Sequence, residues 1–145
     1  MKVRALVIDD SKVMRNMVKE SLRKTQLAEF EFDEAEDGNE GLKKFNPKST
    51  DIIFVDWNMP NMSGIDFVRK IRSSYKQCNV PIVMVTSEKS MGKIEEALDK
   101  AGANAYITKP FTVDYMQRKL TPLFDEISSK QSKHSGGFFS KLIGS

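Results

Sequence analysis

The sequence predicts an α/β protein built on a doubly wound parallel sheet, and three observations carry that expectation. Three short apolar runs, Ala5–Ile8, Ile52–Val55 and Ile82–Val85, lack period-two alternation, so each reads as a strand covered on both faces. Between them lie apolar stripes at helical spacing. The length of 145 residues suits one core, since a chain near 150 residues buries roughly two-thirds of its unfolded surface.

Taken in order, the first strand, Ala5–Ile8, runs into Asp9 and Asp10. Val13, Met14, Met17, Val18 and Leu22 then recur at i, i+3 and i+4, the expected buried stripe of a first helix. Phe30–Ala35 is half apolar and reads as an edge strand. Ile52–Val55 is followed by a shorter stripe of Ile65, Phe67, Val68 and Ile71. Ile82–Val85 is followed by Met91, Ile94, Leu98 and Ala101, with Gly102 as a left-handed stop. Ala105–Ile107 completes the strands, and Val113, Met116, Leu120, Leu123, Phe124 and Ile127 mark the last helix. Pro122 falls inside that stripe, where a proline removes a backbone bond at about 3 kcal/mol. Thr121-Pro122 is therefore expected as the N-cap and first residue of a restarted helix. Five βα repeats joined by right-handed crossovers fill residues 1–127.

Beyond Ile127 the composition changes. Residues 128–137 are polar, rich in Ser and Gly and non-periodic, which predicts a flexible linker spanning about 17 Å as a random coil. Residues 138–145 form a short apolar and basic segment in which Phe138, Phe139, Leu142 and Ile143 would share one helical face. Such a segment is too short to hold a helix alone. It is expected to dock on a partner, on its own domain or on an anionic membrane surface. The formal net charge of +3 resides there: Lys130, Lys133 and Lys141 are accompanied by no acid, and the first 127 residues are neutral. A neutral domain is not expected to bind nucleic acid. No apolar run approaches the ~18 residues of a membrane span, and the N-terminus has too few apolar residues before Asp9 for a signal peptide. With Cys78 as the single cysteine, no internal disulfide can form, so a cytoplasmic protein is expected. His134 has no partners at metal-ligand spacing and reads as solvated.

The polar residues share one address. Asp9 and Asp10 follow the first strand, Asp56 the third, Thr86 the fourth and Lys109 the fifth. Open α/β sheets bind ligands outside the carboxyl ends of their strands, where all five would meet. Two carboxylates 4 Å apart repel by about 4 kcal/mol at an effective dielectric near 20. Either one stays protonated or a cation sits among them, and without a nearby His or Cys the suited ion is Mg²⁺. The competing reading is that Asp10 or Ser11 only caps the following helix. Lys109 opposite the carboxylates implies an anion that comes and goes. A phosphoryl group would match Mg²⁺, Lys109 and the Thr86 hydroxyl together. No glycine-rich nucleotide loop is present, so the phosphoryl group is expected to be covalent, with Asp56 as nucleophile. Trp57 is expected as a half-buried loop aromatic, and Thr86 could also cap the fourth helix.

The stretches VIDDS, EAEDG (34–38), DWNMPNMSG (56–64), VPIVMVTS (80–87) and ITKPF (107–111), in this order through residues 3–127, resemble the receiver domains of two-component response regulators, chemotaxis regulators in particular. The resemblance implies a flavodoxin-like (βα)5 fold with strand order 2-1-3-4-5, which the residues alone do not give. It implies that Asp56 is the phosphoacceptor and that Asp9, Asp10, Asp56 and the Asn58 carbonyl hold Mg²⁺. Lys109 would pair with the phosphoryl group, aimed there by a cis Lys109-Pro110 bond, and Thr86 would hydrogen-bond one of its oxygens. Thr86 and Tyr106 would form the switch, while Asn58 and Glu88 would tune the lifetime of the aspartyl phosphate. The implied partners are a histidine kinase as donor, a downstream target such as the flagellar motor switch, and a phosphatase. The protein would be a signalling switch in chemotaxis and not an enzyme. Ser63 departs from the aspartate many receivers carry before the glycine, and the 128–145 tail is additional to the pattern.

Two rivals remain at this point. A haloacid-dehalogenase-like phosphatase also forms an aspartyl phosphate with Mg²⁺, but usually carries Asp-x-Asp, where this chain has Asn58. A flavin-binding flavodoxin would need a Ser/Thr/Gly-rich first loop, where this chain has IDDS.

Overall fold

The computed structural model describes the backbone of residues 1–143 and the side chains of residues 1–132. Strands β1 (Lys2–Ile8), β2 (Glu29–Ala35), β3 (Ile52–Val55), β4 (Ile82–Thr86) and β5 (Ala105–Thr108) alternate with α1 (Lys12–Thr25), α2 (Gly38–Lys44), α3 (Gly64–Ser74), α4 (Met91–Glu95) and α5 (Val113–Ile143). Helix α4 continues as a π-helical stretch over Glu96–Ala101, stopped by Gly102 at φ 99°. The sheet is wholly parallel in the order β2-β1-β3-β4-β5. This is the doubly wound flavodoxin-like arrangement that the resemblance implied, with Phe30–Ala35 at an edge.

Each face of the sheet has its own core. Leu6, Ile8, Ile53, Val55 and Met84 pack against Phe67, Val68 and Ile71 of α3. Val7, Phe54, Val83 and Ile107 pack against Val18 and Leu22 of α1 and Met116, Leu120 and Phe124 of α5. Residues 52–55 and 82–86 are buried throughout, which is why those runs show no alternation.

Several expectations are corrected. Val13 is 69% and Met17 50% exposed, so the buried stripe of α1 runs through Val18 and Leu22 only, with Met14 partly covered. Met91 is likewise exposed, while Ile94 and Leu98 pack partly against the core. Trp57 is buried, not half-buried, with the Lys93 ammonium 4.9 Å from its ring centroid. No restart occurs at Thr121. Its hydroxyl donates back to the Gln117 carbonyl (2.7 Å), and Pro122 lies within a continuous helix on the exposed face. Burial of Leu120, Leu123, Phe124 and Ile127 on the opposite face offsets the backbone bond lost there. The same helix runs on through residues 128–137, where a coil linker was expected. Extending an existing helix needs no new nucleus, and no glycine intervenes before residue 136. Gln131 Nε2 also ties this stretch to the body by donating to the Lys2 carbonyl (3.0 Å). The side chains of His134, Phe138, Phe139, Leu142 and Ile143 lie outside the described residues. Among the described residues, no helix is long and apolar enough to cross a membrane.

Candidate functional site: an acidic pocket with one lysine

The parallel register delivers the polar residues to one edge. Pairing aligns Ile8 with Val55, Val55 with Met84, and Thr86 with Thr108. The residues that follow, Asp9, Asp56 and Lys109, therefore emerge side by side with the terminal Thr86. Asp9 is buried and Asp10 exposed at the turn into α1. Asp9 Oδ1 accepts from the Ser11 N–H (2.9 Å), and Ser11 Oγ caps α1 by accepting from Met14 N–H (3.2 Å). The capping reading and the site reading are thus both realised, by adjacent residues. Asp56 accepts at Oδ1 from the Trp57 N–H (2.8 Å). Gly64 closes in beneath it, where a Cβ would lie 1.8 Å from the Asp56 carbonyl oxygen. Only glycine admits that approach.

One carboxylate oxygen from each of Asp9, Asp10 and Asp56 lies within 4.8 Å of the others. Lys109 Nζ sits 2.8 Å from Asp9 Oδ2 and 3.5 Å from Asp56 Oδ2, and the Lys109-Pro110 peptide that follows it is cis. Burial pushes the Asp56 carboxyl above the ordinary aspartate range and Asp9 adds to it, while the Thr86 hydroxyl and Lys109 act the other way. One ammonium against three carboxylates leaves the pocket short of positive charge. A donor set of oxygens only, open to water at exposed Asp10, fits Mg²⁺.

Thr86 is fully buried at the end of β4, its Oγ1 accepting from the Glu88 N–H (3.4 Å). Ser90, not Thr86, caps α4. The β4–α4 loop is fastened to the site at Glu88. The Asn58 amide donates to Glu88 Oε1 (2.8 Å), Lys93 Nζ lies 3.6 Å from Oε2, and Tyr106 Oη donates to the Glu88 carbonyl (2.7 Å). Asn58 hydrogen bonding holds the Glu88 carboxyl below its usual range, with Lys93 assisting. Burial, with Glu88 and Asp56 nearby, pushes the Tyr106 hydroxyl up to about 12, so it remains a donor. All eight residues singled out from the sequence are thus gathered at one end of the sheet. The site also contains a residue the sequence reading passed over: Arg15 Nη1 donates to the Asp9 carbonyl (2.6 Å). No pattern in the sequence flags it, because its partners are the backbone of the β1–α1 turn and Glu34 of β2.

The response regulator receiver domain model matches residues 5–121. The chain belongs to the response regulator receiver family. Among similar receivers, the chemotaxis protein CheY1 of Helicobacter pylori is 40% identical over 119 residues, covering 81% of this chain and 94% of the relative. The chemotaxis protein CheY of Pseudomonas aeruginosa is 35% identical over 126 residues, covering 87% and 99%. Among solved structures, Vibrio cholerae CheY4 superposes with a TM-score of 0.71 at 33% identity, covering 84% of this chain and 98% of that one. A CheY-like receiver domain from Methanospirillum hungatei gives 0.73 at 26%, covering 90% and 99%. Membership decides between the earlier alternatives. As a receiver the chain is a phosphoaspartate signalling switch that works with a histidine kinase, and the acidic triad is its Mg²⁺ site.

Proposed function

We propose that Asp56 is the phosphoacceptor of a chemotaxis switch, and the observation that carries this is the Asp9–Asp10–Asp56 triad facing Lys109. Transfer is in line. An Asp56 carboxylate oxygen forms the new bond to phosphorus, the phosphorus–nitrogen bond of a phosphohistidine breaks, and the imidazole departs with the electron pair. Asp9, Asp10 and Asp56, with the Asn58 carbonyl, would hold Mg²⁺, which when bound would supply positive charge to the phosphoryl oxygens. Lys109 exchanges Asp9 for the incoming anion, and the Thr86 hydroxyl donates to a phosphoryl oxygen. Any movement of Thr86 is felt at Glu88 and thence at Tyr106, which is hydrogen-bonded to the Glu88 carbonyl. Asn58 and Glu88, joined across the entrance, set how readily water reaches the phosphoryl group. Output is assigned to the shallow groove between α4 and α5 beside Tyr106, lined by Ile94, Leu98, Tyr115 and Leu123. The partners are a histidine kinase, a target such as the flagellar motor switch, and a phosphatase.

Asp10→Ala tests the metal part of this reading. Mg²⁺ titration followed by fluorescence of Trp57, the neighbour of Asp56, should show affinity weakened on the order of tenfold or more, because the variant loses one of the three carboxylate oxygens that would hold the ion in a site otherwise completed by water. An unchanged titration would remove Asp10 from the metal site.

The segment 138–145 is assigned to target recognition, on the strength of its four large apolar residues, each worth roughly 1.5–3 kcal/mol when buried. Removing residues 133–145 should leave Asp56 labelling intact and lower affinity for the target. Equal target affinity, with loss of binding to anionic vesicles instead, would reassign the segment to a membrane surface.

A further inference from the structure

The β1–α1 turn that carries Asp9 and Asp10 is held from outside the pocket. Arg15, one turn into α1, donates from Nη1 to the Asp9 carbonyl (2.6 Å) and from Nε to Glu34 Oε1 (3.0 Å). Lys19, one turn further on, donates to Glu34 Oε2 (2.9 Å), so both oxygens of Glu34 are engaged. The Arg15 and Lys19 side chains are only 13% and 17% exposed. Lys19 first, then Arg15, hold the Glu34 carboxyl below its usual range against the opposing effect of burial. On the other side, the Asp9 N–H donates to the Ala35 carbonyl (3.1 Å), next to Glu34 on β2. The Asp9 peptide is therefore clamped through its N–H by the end of β2 and through its carbonyl by a guanidinium that β2 itself orients.

Three carboxylates converging within 4.8 Å repel one another, and the softest response open to them is rotation of the Asp9–Asp10 turn outward. A planar guanidinium bridging two acceptors resists that rotation in a way a single point charge cannot. We infer that Arg15, braced by Glu34 and Lys19, is a positioning residue that keeps the Asp9–Asp10 turn in the geometry that binds a divalent cation. This inference rests on the Mg²⁺ reading of the triad.

The sign of the effect separates positioning from electrostatics. Arg15 contributes a positive charge close to a cation site, so if charge alone mattered its removal would tighten Mg²⁺ binding. If Arg15 holds the turn, its removal weakens binding. Mg²⁺ titration of the full chain by Trp57 fluorescence, repeated calorimetrically, is expected to give about tenfold weaker affinity in Arg15→Met, the effect typical of losing support behind a metal ligand. Arg4→Met is the control: it removes a guanidinium that also bridges β1 to β2, through Glu31 and Asp33, away from the site. It should lower thermal stability without moving Mg²⁺ affinity. If Arg15→Met does not fold, Arg15→Lys carries the same test, its ammonium being unable to span both acceptors, with a loss of several-fold expected. Wild-type affinity or tighter in the folded variant overturns the positioning role and leaves the metal site standing. Absence of any Mg²⁺ response in the wild-type protein overturns both.

Discussion

Asp56→Asn should abolish Mg²⁺-dependent labelling by acetyl phosphate or by a phosphorylated histidine kinase, and should at the same time make the protein more stable. Loss of labelling follows from chemistry, because a neutral amide oxygen is a far poorer nucleophile than a carboxylate. The gain in stability follows from the pocket. Asp56 sits there with Asp9 and Asp10 against the single ammonium of Lys109, and burial pushes its pKa up. A carboxyl whose folded pKa is raised imposes no penalty at a pH below its unfolded value. The penalty grows as pH rises through the folded value and is complete above it. The stability advantage of Asp56→Asn should therefore grow as pH rises above the ordinary aspartate range and fade as pH falls back into it. Mg²⁺ should shrink the advantage too, since it stabilises the wild-type fold by about 2.7 kcal/mol at one hundred times its dissociation constant. Urea unfolding at two pH values, with and without Mg²⁺, reads all of this. Full labelling of the variant would show that another residue accepts the phosphoryl group, and a loss of stability at neutral pH would mean that Asp56 is well compensated as it stands.

Lys109→Ala should act in the opposite direction on stability and separate phosphorylation from its consequence. Lys109 lies against two carboxylates whose side chains are 5% and 12% exposed. Removing one partner of a buried pair destabilises by about 3–5 kcal/mol, because the charges left behind are uncompensated. A loss of about 3 kcal/mol, the lower end of that range because the pocket is open to water at Asp10, and about 10 °C in melting temperature is expected at neutral pH without Mg²⁺. Lowering the pH should recover part of the loss, since the variant's Asp56 pKa is higher still and its protonated form carries no penalty. Mg²⁺ should also recover part, by supplying the missing positive charge. Labelling of Asp56 should persist, because Lys109 senses the anion and does not form the bond. The rise in target affinity on phosphorylation should be lost. A normal rise would remove Lys109 from the switch.

The strands were legible in the sequence because burial on both faces leaves a direct trace. Ile52–Val55 and Ile82–Val85 are uninterrupted apolar runs, and each became a fully buried strand. The site was legible for a related reason: parallel topology sends every strand end to the same edge, so chemistry-bearing residues at those ends must meet. Helix faces were less legible. Val13 and Met17 fit the stripe of α1 as well as Val18 does, and which arc of the helix meets the sheet depends on how α1 lies against β1, β2 and α5. Pro122 and residues 128–137 misled in a similar way, because local propensity favours an end wherever packing and helix continuity do not override it.

What the sequence by itself determined was therefore the run of βα repeats, the buried strands, and the set Asp9, Asp10, Asp56, Thr86 and Lys109, since these follow from composition along one strand and its end. The tertiary structure alone decided which neighbours act on that set. The Arg15–Glu34–Lys19 cluster and the Asn58–Glu88–Tyr106 connection each join residues from different elements, 15 to 30 positions apart for the pairs Lys19–Glu34, Arg15–Glu34, Tyr106–Glu88 and Asn58–Glu88. Hydrogen bonds depend on distances of a few tenths of an ångström, and such distances are fixed by how strands register and helices seat, which no local pattern encodes.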